Sequence, residues 1–521
     1  MSDSRRIQIY DTTLRDGTQR EGISLSCDDK LKIARKLDEL GVSFVEGGWP
    51  GSNPKDAEFF TRARQISWKH AVITSFGSSC RVGGTPGNDP NIAALLDSGT
   101  SVCSLVGKSS MFHVNEVLRT SAEENLRIIE ESTAYLVQHE RRVFYDAEHF
   151  FDGFKLDREY ALDTLRAARR GGAEILVLCD TNGGTMPWEI AEIVRETKGA
   201  VPYPLGIHTH NDTECAVANA LAAVREDCVQ VQGTINGYGE RCGNANLISI
   251  IGDLTLKMNM ECLPEGKLNQ LTDTAHFVAE LANLSPDGHL AYVGKSAFAH
   301  KGGIHVSAIR RNVNSYQHVD PALVGNSMRI VVSELSGRAN VLSKSEEFGV
   351  SMEDANQISE VLDQIKVLEA QGFSFEAAEA SVAMMMKRQN DNYVPPFELI
   401  DLTVNVEHRR GRGIFAEATV KLKVGEEVIH TVAEGNGPVN ALDTAVRKAL
   451  TPVYPSLELF QLADYKVRIL DGGKGTAATT RVLIETRNGT RRWSTVGASA
   501  NIIEASWRAL ADSIEYGLTS K

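Results

Sequence analysis

The sequence predicts an α/β protein: a (β/α)8 TIM barrel, then a helical linker region, then a C-terminal α+β regulatory domain. Three observations carry this reading. Short apolar runs alternate with amphipathic stretches over the first half of the chain. The middle is mostly helical pattern, broken by one polar insertion. The last part returns to strand pattern and contains a weak internal repeat.

The barrel rests on eight strand candidates: Ile7–Thr12, Phe44–Gly48, Ala71–Phe76, Ser101–Val106, Arg142–Ala147, Glu174–Cys179, Leu205–His210 and Cys228–Ile235. Amphipathic segments such as Asp28–Leu40, Val114–Glu140 and Arg158–Arg169 lie between them. Eight such units in roughly 250 residues match a closed barrel. A doubly wound open sheet is the alternative. It calls for a Gly-rich phosphate turn after the first strand, and DTTLRDGTQREG lacks that fingerprint. The barrel is therefore assigned to residues 1–265.

Residues 266–395 read as helical linker subdomains that contribute to the active site. Met352–Lys387 reads as helices joined at Gly372, with Met384–Met386 as core packing. Residues 396–521 read as six strands and two helices. The helix entries GNGPVNALDTAVRKAL and GASANIIEASWRALADSI resemble one another, so this region is expected to be a duplicated ligand-sensing or dimerising module. Gly472–Thr476 lacks P-loop spacing and reads as a hairpin or effector loop.

Composition narrows the function classes. The 521 residues are 42% hydrophobic and 24% charged, which is ordinary for a globular protein. Net charge is −13 with no basic stripe, which argues against nucleic-acid binding. Eight scattered cysteines without a CxxC pair suggest reduced thiols and a cytoplasmic location. The N-terminus lacks an apolar signal region, and no apolar run approaches membrane-spanning length, so no membrane partner is expected.

The strongest chemical signal is His208-Thr209-His210 at the end of the seventh strand candidate. Side chains two apart on a strand share a face, and barrel chemistry sits at strand C-terminal ends. Two imidazoles so placed suit a divalent metal, or form a merely hydrogen-bonded pair. Asp16, just past the first strand, can face the same mouth and add a carboxylate. That donor set suits Mg2+, Mn2+, Co2+ or Zn2+. Asn244 offers an amide oxygen, or else caps the helix that follows. Arg15 could bind a carboxylate and stabilise charge on a ketone oxygen, or be an ordinary surface arginine. Glu148, ending the fifth strand, is an acid/base candidate. Thr181 offers a hydroxyl to a substrate carboxylate, or serves only the turn. His305, in the Gly-Gly-Ile-His segment, is a proton-transfer candidate, with Asn314 and Tyr316 nearby in the same insertion. Phe76, Leu105 and Asp146 are candidates for lining the pocket.

Taken together, DTTLRDGTQREG, HTHND, GYGERCGNANL and KGGIH resemble the DRE-type metal-dependent acyl-CoA condensing enzymes. That family includes 2-isopropylmalate, homocitrate and citramalate synthases and the related hydroxymethylglutaryl-CoA lyases. The resemblance covers nearly the whole chain. EGGWPGSNPKD, YDAEHFFDGF and LCDTNGGTMP are most similar to one subgroup of citramalate synthases.

The resemblance implies Asp16, His208 and His210 as metal ligands, with Asn244 as a fourth. It implies that Arg15 polarises a keto acid, that Thr181 holds its carboxylate, and that Glu148 is the acidic catalytic residue. His305 would be delivered from the linker region, often by the partner subunit of a homodimer, with Tyr316 and Asn314 beside acetyl-CoA. The segment AEHFFDG departs from the pattern of the isopropylmalate synthases at Glu148. The implied reaction condenses acetyl-CoA with a small 2-oxo acid. Pyruvate is the first choice, giving citramalate on the way to isoleucine, and 2-oxoisovalerate is the alternative. Isoleucine is the expected effector at the C-terminal domain. From another class, the chain would be a catalytically dead metabolite-binding regulator.

Overall fold

A computed structural model describes residues 6–520 apart from 353, 412 and 490. It falls into two compact units. The first runs to Phe298 and includes Val319–Ser327. The second is Ala299–His318 together with the chain from Met328 onward.

The first unit is a closed TIM barrel of eight strands in sequence order. They are β1 (Gln8–Asp11), β2 (Phe44–Gly48), β3 (Val72–Ser78), β4 (Val102–Lys108), β5 (Arg142–Glu148), β6 (Ile175–Asp180), β7 (Leu205–Thr209) and β8 (Gln230–Gly233). All neighbours pair in parallel, and β1 closes on β8 with Tyr10 opposite Gln232. Each predicted strand is present, with its ends within two residues of the predicted ones.

The inward positions explain where the chemistry sits. Alternate residues along each strand face the barrel interior. At the strands' N-terminal side these are apolar: Tyr10, Phe44, Val102, Phe144 and Ile175 form one buried cluster, with the Phe44 and Phe144 rings edge-on at 5.0 Å. Two residues further along, the inward positions turn polar: Glu46, Ser104, Asp146 and Gln232 are all buried. A polar layer inside a packed barrel is stable only if its members find partners, and here Ser104 and Gln232 donate to Asp146 while Glu46 accepts from Tyr10 and Arg15.

The outer helices bury one apolar stripe each. Cys27–Leu40 buries Leu31, Ile33, Ala34, Leu37 and Leu40 against the barrel. Each fully buried leucine contributes about 1.5–3 kcal/mol. Ser26 and Asp29 form a capping box at its start, and Gly41 ends it at φ 95°. The stretch Val114–Glu140, expected as one amphipathic segment, is broken. Arg119 is left-handed at φ 56°, and a new helix, Ala122–Gln138, begins where the Ser121 hydroxyl accepts from the Glu124 N–H. The local cap signal outweighs the continuous periodicity.

In the second unit, helices Ala355–Ala370 and Glu379–Arg388 are separated at Gly372. Gly372 has φ +106°, and a Cβ there would lie 2.5 Å from Leu470 Cδ1, so glycine is required. Met384, Met385 and Met386 are buried, as expected of core residues. The internal repeat is real. Strands Glu398–Arg409, Gly413–Val424 and Glu427–Gly435 form one antiparallel sheet followed by helix Pro438–Leu450. Strands Gln461–Ile469, Thr480–Asn488 and Arg491–Ser499 form a second, followed by helix Ile502–Thr519. Gly472–Ala477 is the turn of a hairpin in that second sheet. Among the described residues no helix is long and apolar enough to cross a membrane, and none of the eight cysteines is in a disulfide.

Candidate active site

A cavity of about 550 Å³ opens at the C-terminal ends of the barrel strands. Arg15, Asp16, Glu148, Thr181, His208 and His210 all line it.

Asp16, His208 and His210 converge, with one donor atom of each within 4.8 Å of the others. His208 Nε2 lies 3.2 Å from Asp16 Oδ2 and 3.2 Å from His210 Nε2. The other His208 nitrogen, Nδ1, faces Gln232 Oε1 at 2.9 Å. Gln232 is oriented in turn, because its Nε2 donates to Asp146 Oδ1 at 3.0 Å. Asp146 also accepts from Ser104 Oγ at 2.9 Å. This chain assigns the Nδ1 proton to His208 and leaves Nε2 as the ligand atom.

The charges favour a cation. Burial pushes the Asp16 carboxyl up, but Arg15 and the two imidazoles hold it well below the usual carboxylate range. Burial and the neighbouring His208 lower His210 to about 3, so it stands neutral, the form that binds metals. Burial pulls His208 down, yet Asp16 outweighs it and raises the imidazole. One carboxylate and two imidazoles, buried and pre-oriented, are a donor set that suits a divalent metal ion. The residues fit the ion that the sequence reading called for.

Asn244 lies beside them. It pairs with His210 in an isolated β-bridge, and neither its Oδ1 nor its Nδ2 has a hydrogen-bond partner although both are buried. The capping role considered for Asn244 belongs to Asn246, whose side chain accepts from the Ile248 N–H. A buried amide with no partner is costly, so an oxygen free to bind an ion has a physical rationale.

Arg15 is not an ordinary surface arginine. Its Nε donates to Glu46 Oε2 at 2.6 Å, and its Nη1 lies 3.2 Å from Asp16 Oδ1. Its guanidinium stacks 3.8 Å above the Phe76 ring. Glu46 is fully buried and also accepts from the Tyr10 hydroxyl at 2.9 Å. Burial pulls the Arg15 pKa down, but Asp16 and Glu46 outweigh it, so the cation is permanent.

Glu148 is ion-paired with Lys108, also in the cavity lining. The Thr181 hydroxyl accepts from the His149 N–H at 2.8 Å, which leaves its own proton to donate elsewhere. Phe76 and Asp146 line the cavity as expected, but Leu105 does not. It faces outward into a cluster with Ile92, Leu95 and Ile128, and the inward neighbour Val106 takes its place. The reason is strand alternation: Ser104 and Val106 share the inner face, so Leu105 must share the outer one.

His305, Asn314 and Tyr316 belong to the second unit and are not in the lining of this cavity. All three are exposed, and the His305 and Tyr316 rings stack at 4.1 Å. The sequence reading missed Glu46, Gln232, Lys108 and Arg241. A signal existed for two of them: Glu46 is an acid inside an apolar strand, and Gln230 and Gln232 alternate at strand period.

Comparison with known proteins agrees with this geometry. The HMGL-like family matches residues 6–278. A homocitrate synthase post-HMGL domain matches residues 292–372, and the LeuA allosteric (dimerisation) domain matches residues 376–518. An (R)-citramalate synthase of Geobacter sulfurreducens is 54% identical, covering 98% of this chain and 97% of its own. One from Aquifex aeolicus is 49% identical, covering 99% and 98%. A 2-isopropylmalate synthase of Methanocaldococcus jannaschii is 30% identical, covering 99% and 95%. A barrel with this donor set, followed by these two domains and by full-length likeness of this degree, places the chain in the (R)-citramalate synthase family, within the wider HMGL-like family.

Proposed function

We propose that the chain is an acyltransferase that condenses acetyl-CoA with pyruvate and water to give citramalate and CoA, a step toward isoleucine. The observation that carries this is the convergence of Asp16, His208 and His210 within 4.8 Å, beside a pinned Arg15. The likeness to (R)-citramalate synthases supports the choice of substrates.

Asp16, His208, His210 and Asn244 would hold a divalent cation, Mg2+ or Mn2+ before Co2+ or Zn2+. When bound, such an ion supplies Lewis acidity and a template for the keto acid's oxygens. Arg15 stabilises the negative charge that develops on the ketone oxygen as the new carbon–carbon bond forms. It needs no reorganisation, because Glu46, Asp16 and Phe76 already fix it. Thr181 donates its free hydroxyl proton to the acceptor's carboxylate. A base removes one methyl proton from acetyl-CoA, and Glu148 and His305 are the two candidates, with Tyr316 and Asn314 near His305. The resulting carbanion equivalent attacks the ketone carbon. Water then cleaves the thioester, releasing CoA and the dicarboxylic acid.

The C-terminal module would form a homodimer and bind isoleucine as an effector, and the protein would work in the cytoplasm. The test is release of free CoA thiol from acetyl-CoA with a panel of 2-oxo acids. Pyruvate should be preferred over 2-oxobutanoate and 2-oxoisovalerate. Preference for 2-oxoisovalerate would instead identify a 2-isopropylmalate synthase.

A further inference from the structure

We propose that Arg241 is a positioning residue, whose guanidinium clips together the loops after β6, β7 and β8 and so sets the placement of Thr181, His210 and Asn244. The inference rests on the metal-dependent reading given above and assigns a role to a residue outside the ligand set.

Three hydrogen bonds define the clip. Arg241 Nε donates to Asp212 Oδ1 at 2.7 Å, and Nη2 donates to Asp212 Oδ2 at 2.9 Å. The same Nη2 donates to the Thr181 carbonyl oxygen at 2.8 Å. Asp212 is two residues past His210, Thr181 directly follows β6, and Arg241 is three residues before Asn244. One planar group therefore ties three loops, each of which carries a site side chain.

The surrounding backbone is built to fit. The Asn211 N–H donates to the Gly243 carbonyl at 2.8 Å, and Thr213 Oγ1 donates to the Gly183 carbonyl at 2.8 Å. Gly183 has φ +62°, and a Cβ there would lie 2.4 Å from Asp212 Oδ2, so the β6 loop packs directly onto the clipped carboxylate. Arg241 itself adopts φ 55°, a left-handed conformation that long side chains disfavour. Such strain persists where the surroundings over-determine it, and it concentrates at functional sites. A lysine cannot replace this group, because a point-charge ammonium does not offer a planar fork to a carboxylate and a further N–H to a carbonyl.

The test uses full-length protein, stripped of metal and titrated with Mn2+, and compares the wild type with Arg241→Lys, Arg241→Gln and Asp212→Asn. Arg195→Gln is the control: Arg195 makes a like bidentate pair with Glu226, at 2.9 and 2.6 Å, away from the cavity lining. Both Arg241 variants should weaken Mn2+ binding and raise KM for pyruvate, each by about tenfold, as loss of groups that orient metal ligands does. KM for acetyl-CoA and the thermal midpoint should stay close to the wild type. The Arg241→Gln/Asp212→Asn double variant should be no worse than Arg241→Gln, because the two residues act as one unit. Wild-type Mn2+ affinity and pyruvate KM in Arg241→Lys would overturn the proposal, as would an equal loss in Arg195→Gln. If the wild type releases no CoA with pyruvate, the proposed reaction fails, while the Mn2+ titration still judges the clip.

Discussion

His208 Nδ1 sits 2.9 Å from Gln232 Oε1, and this contact leaves His208 Nε2 facing Asp16 and His210. Gln232→Leu removes the acceptor and leaves Asp146 without one of its donors. Affinity for Mn2+ should fall by about 10–100-fold, with Gln232→Glu less affected because it still offers an oxygen. An Mn2+ titration followed by electron paramagnetic resonance reads this directly. Unchanged affinity in Gln232→Leu would remove the glutamine from the site.

Glu46 holds Arg15 from inside the barrel. Glu46→Leu leaves the guanidinium without its closest partner in a largely buried position, which should destabilise the barrel by about 3–5 kcal/mol. Glu46→Gln keeps the shape and an acceptor. It should fold with a smaller loss while turnover falls about tenfold, because Arg15 is held less firmly. Chemical denaturation and steady-state kinetics separate the two effects.

Asp11 gives a pH signature of the fold. Burial pushes its carboxyl up to about 7, against the opposing hydrogen bonds from the Thr13 N–H and hydroxyl. In the unfolded chain the group titrates near 3.8. Between those values the native state holds the proton and the unfolded state does not, so stability falls as pH rises through that window and levels off above it. The full effect is roughly 4 kcal/mol at most. Asp11→Asn should flatten this dependence in denaturation midpoints measured from pH 4 to 8. An unchanged slope would exclude Asp11 as its source.

Gly372→Ala tests the second unit. The new methyl meets Leu470 at 2.5 Å, and φ +106° disfavours any side chain. A loss of about 1–3 kcal/mol is expected, visible as a lower unfolding midpoint. A stability gain would mean that the loop relaxes freely there.

Much of this architecture is legible in the sequence. Strand positions were readable because inward and outward residues alternate, and the HxH pair was readable because a strand puts both imidazoles on one face. The polar layer that supports them was not. Gln232 and Asp146 are 86 residues apart, and only closure of β8 onto β1 and β7 brings the glutamine beside His208. The sequence leaves Arg15 open between an anion-binding group and a surface arginine for the same reason, since Glu46 and Phe76 reach it from neighbouring strands. The break at Arg119 was hidden because apolar periodicity runs on across it, and the Ser121 cap decides the outcome. Leu105 was misplaced because apolar residues occupy both faces of a buried barrel strand, so composition alone does not say which face is inside.

The most direct test of the account is metal binding by the stripped full-length protein and its single-ligand variants. The wild type should bind one Mn2+ per chain, and Asp16→Ala and His210→Ala should each bind at least about a hundredfold more weakly and release almost no CoA thiol. Wild-type affinity and stoichiometry in either variant would contradict a shared ion among Asp16, His208 and His210, and with it the proposed chemistry.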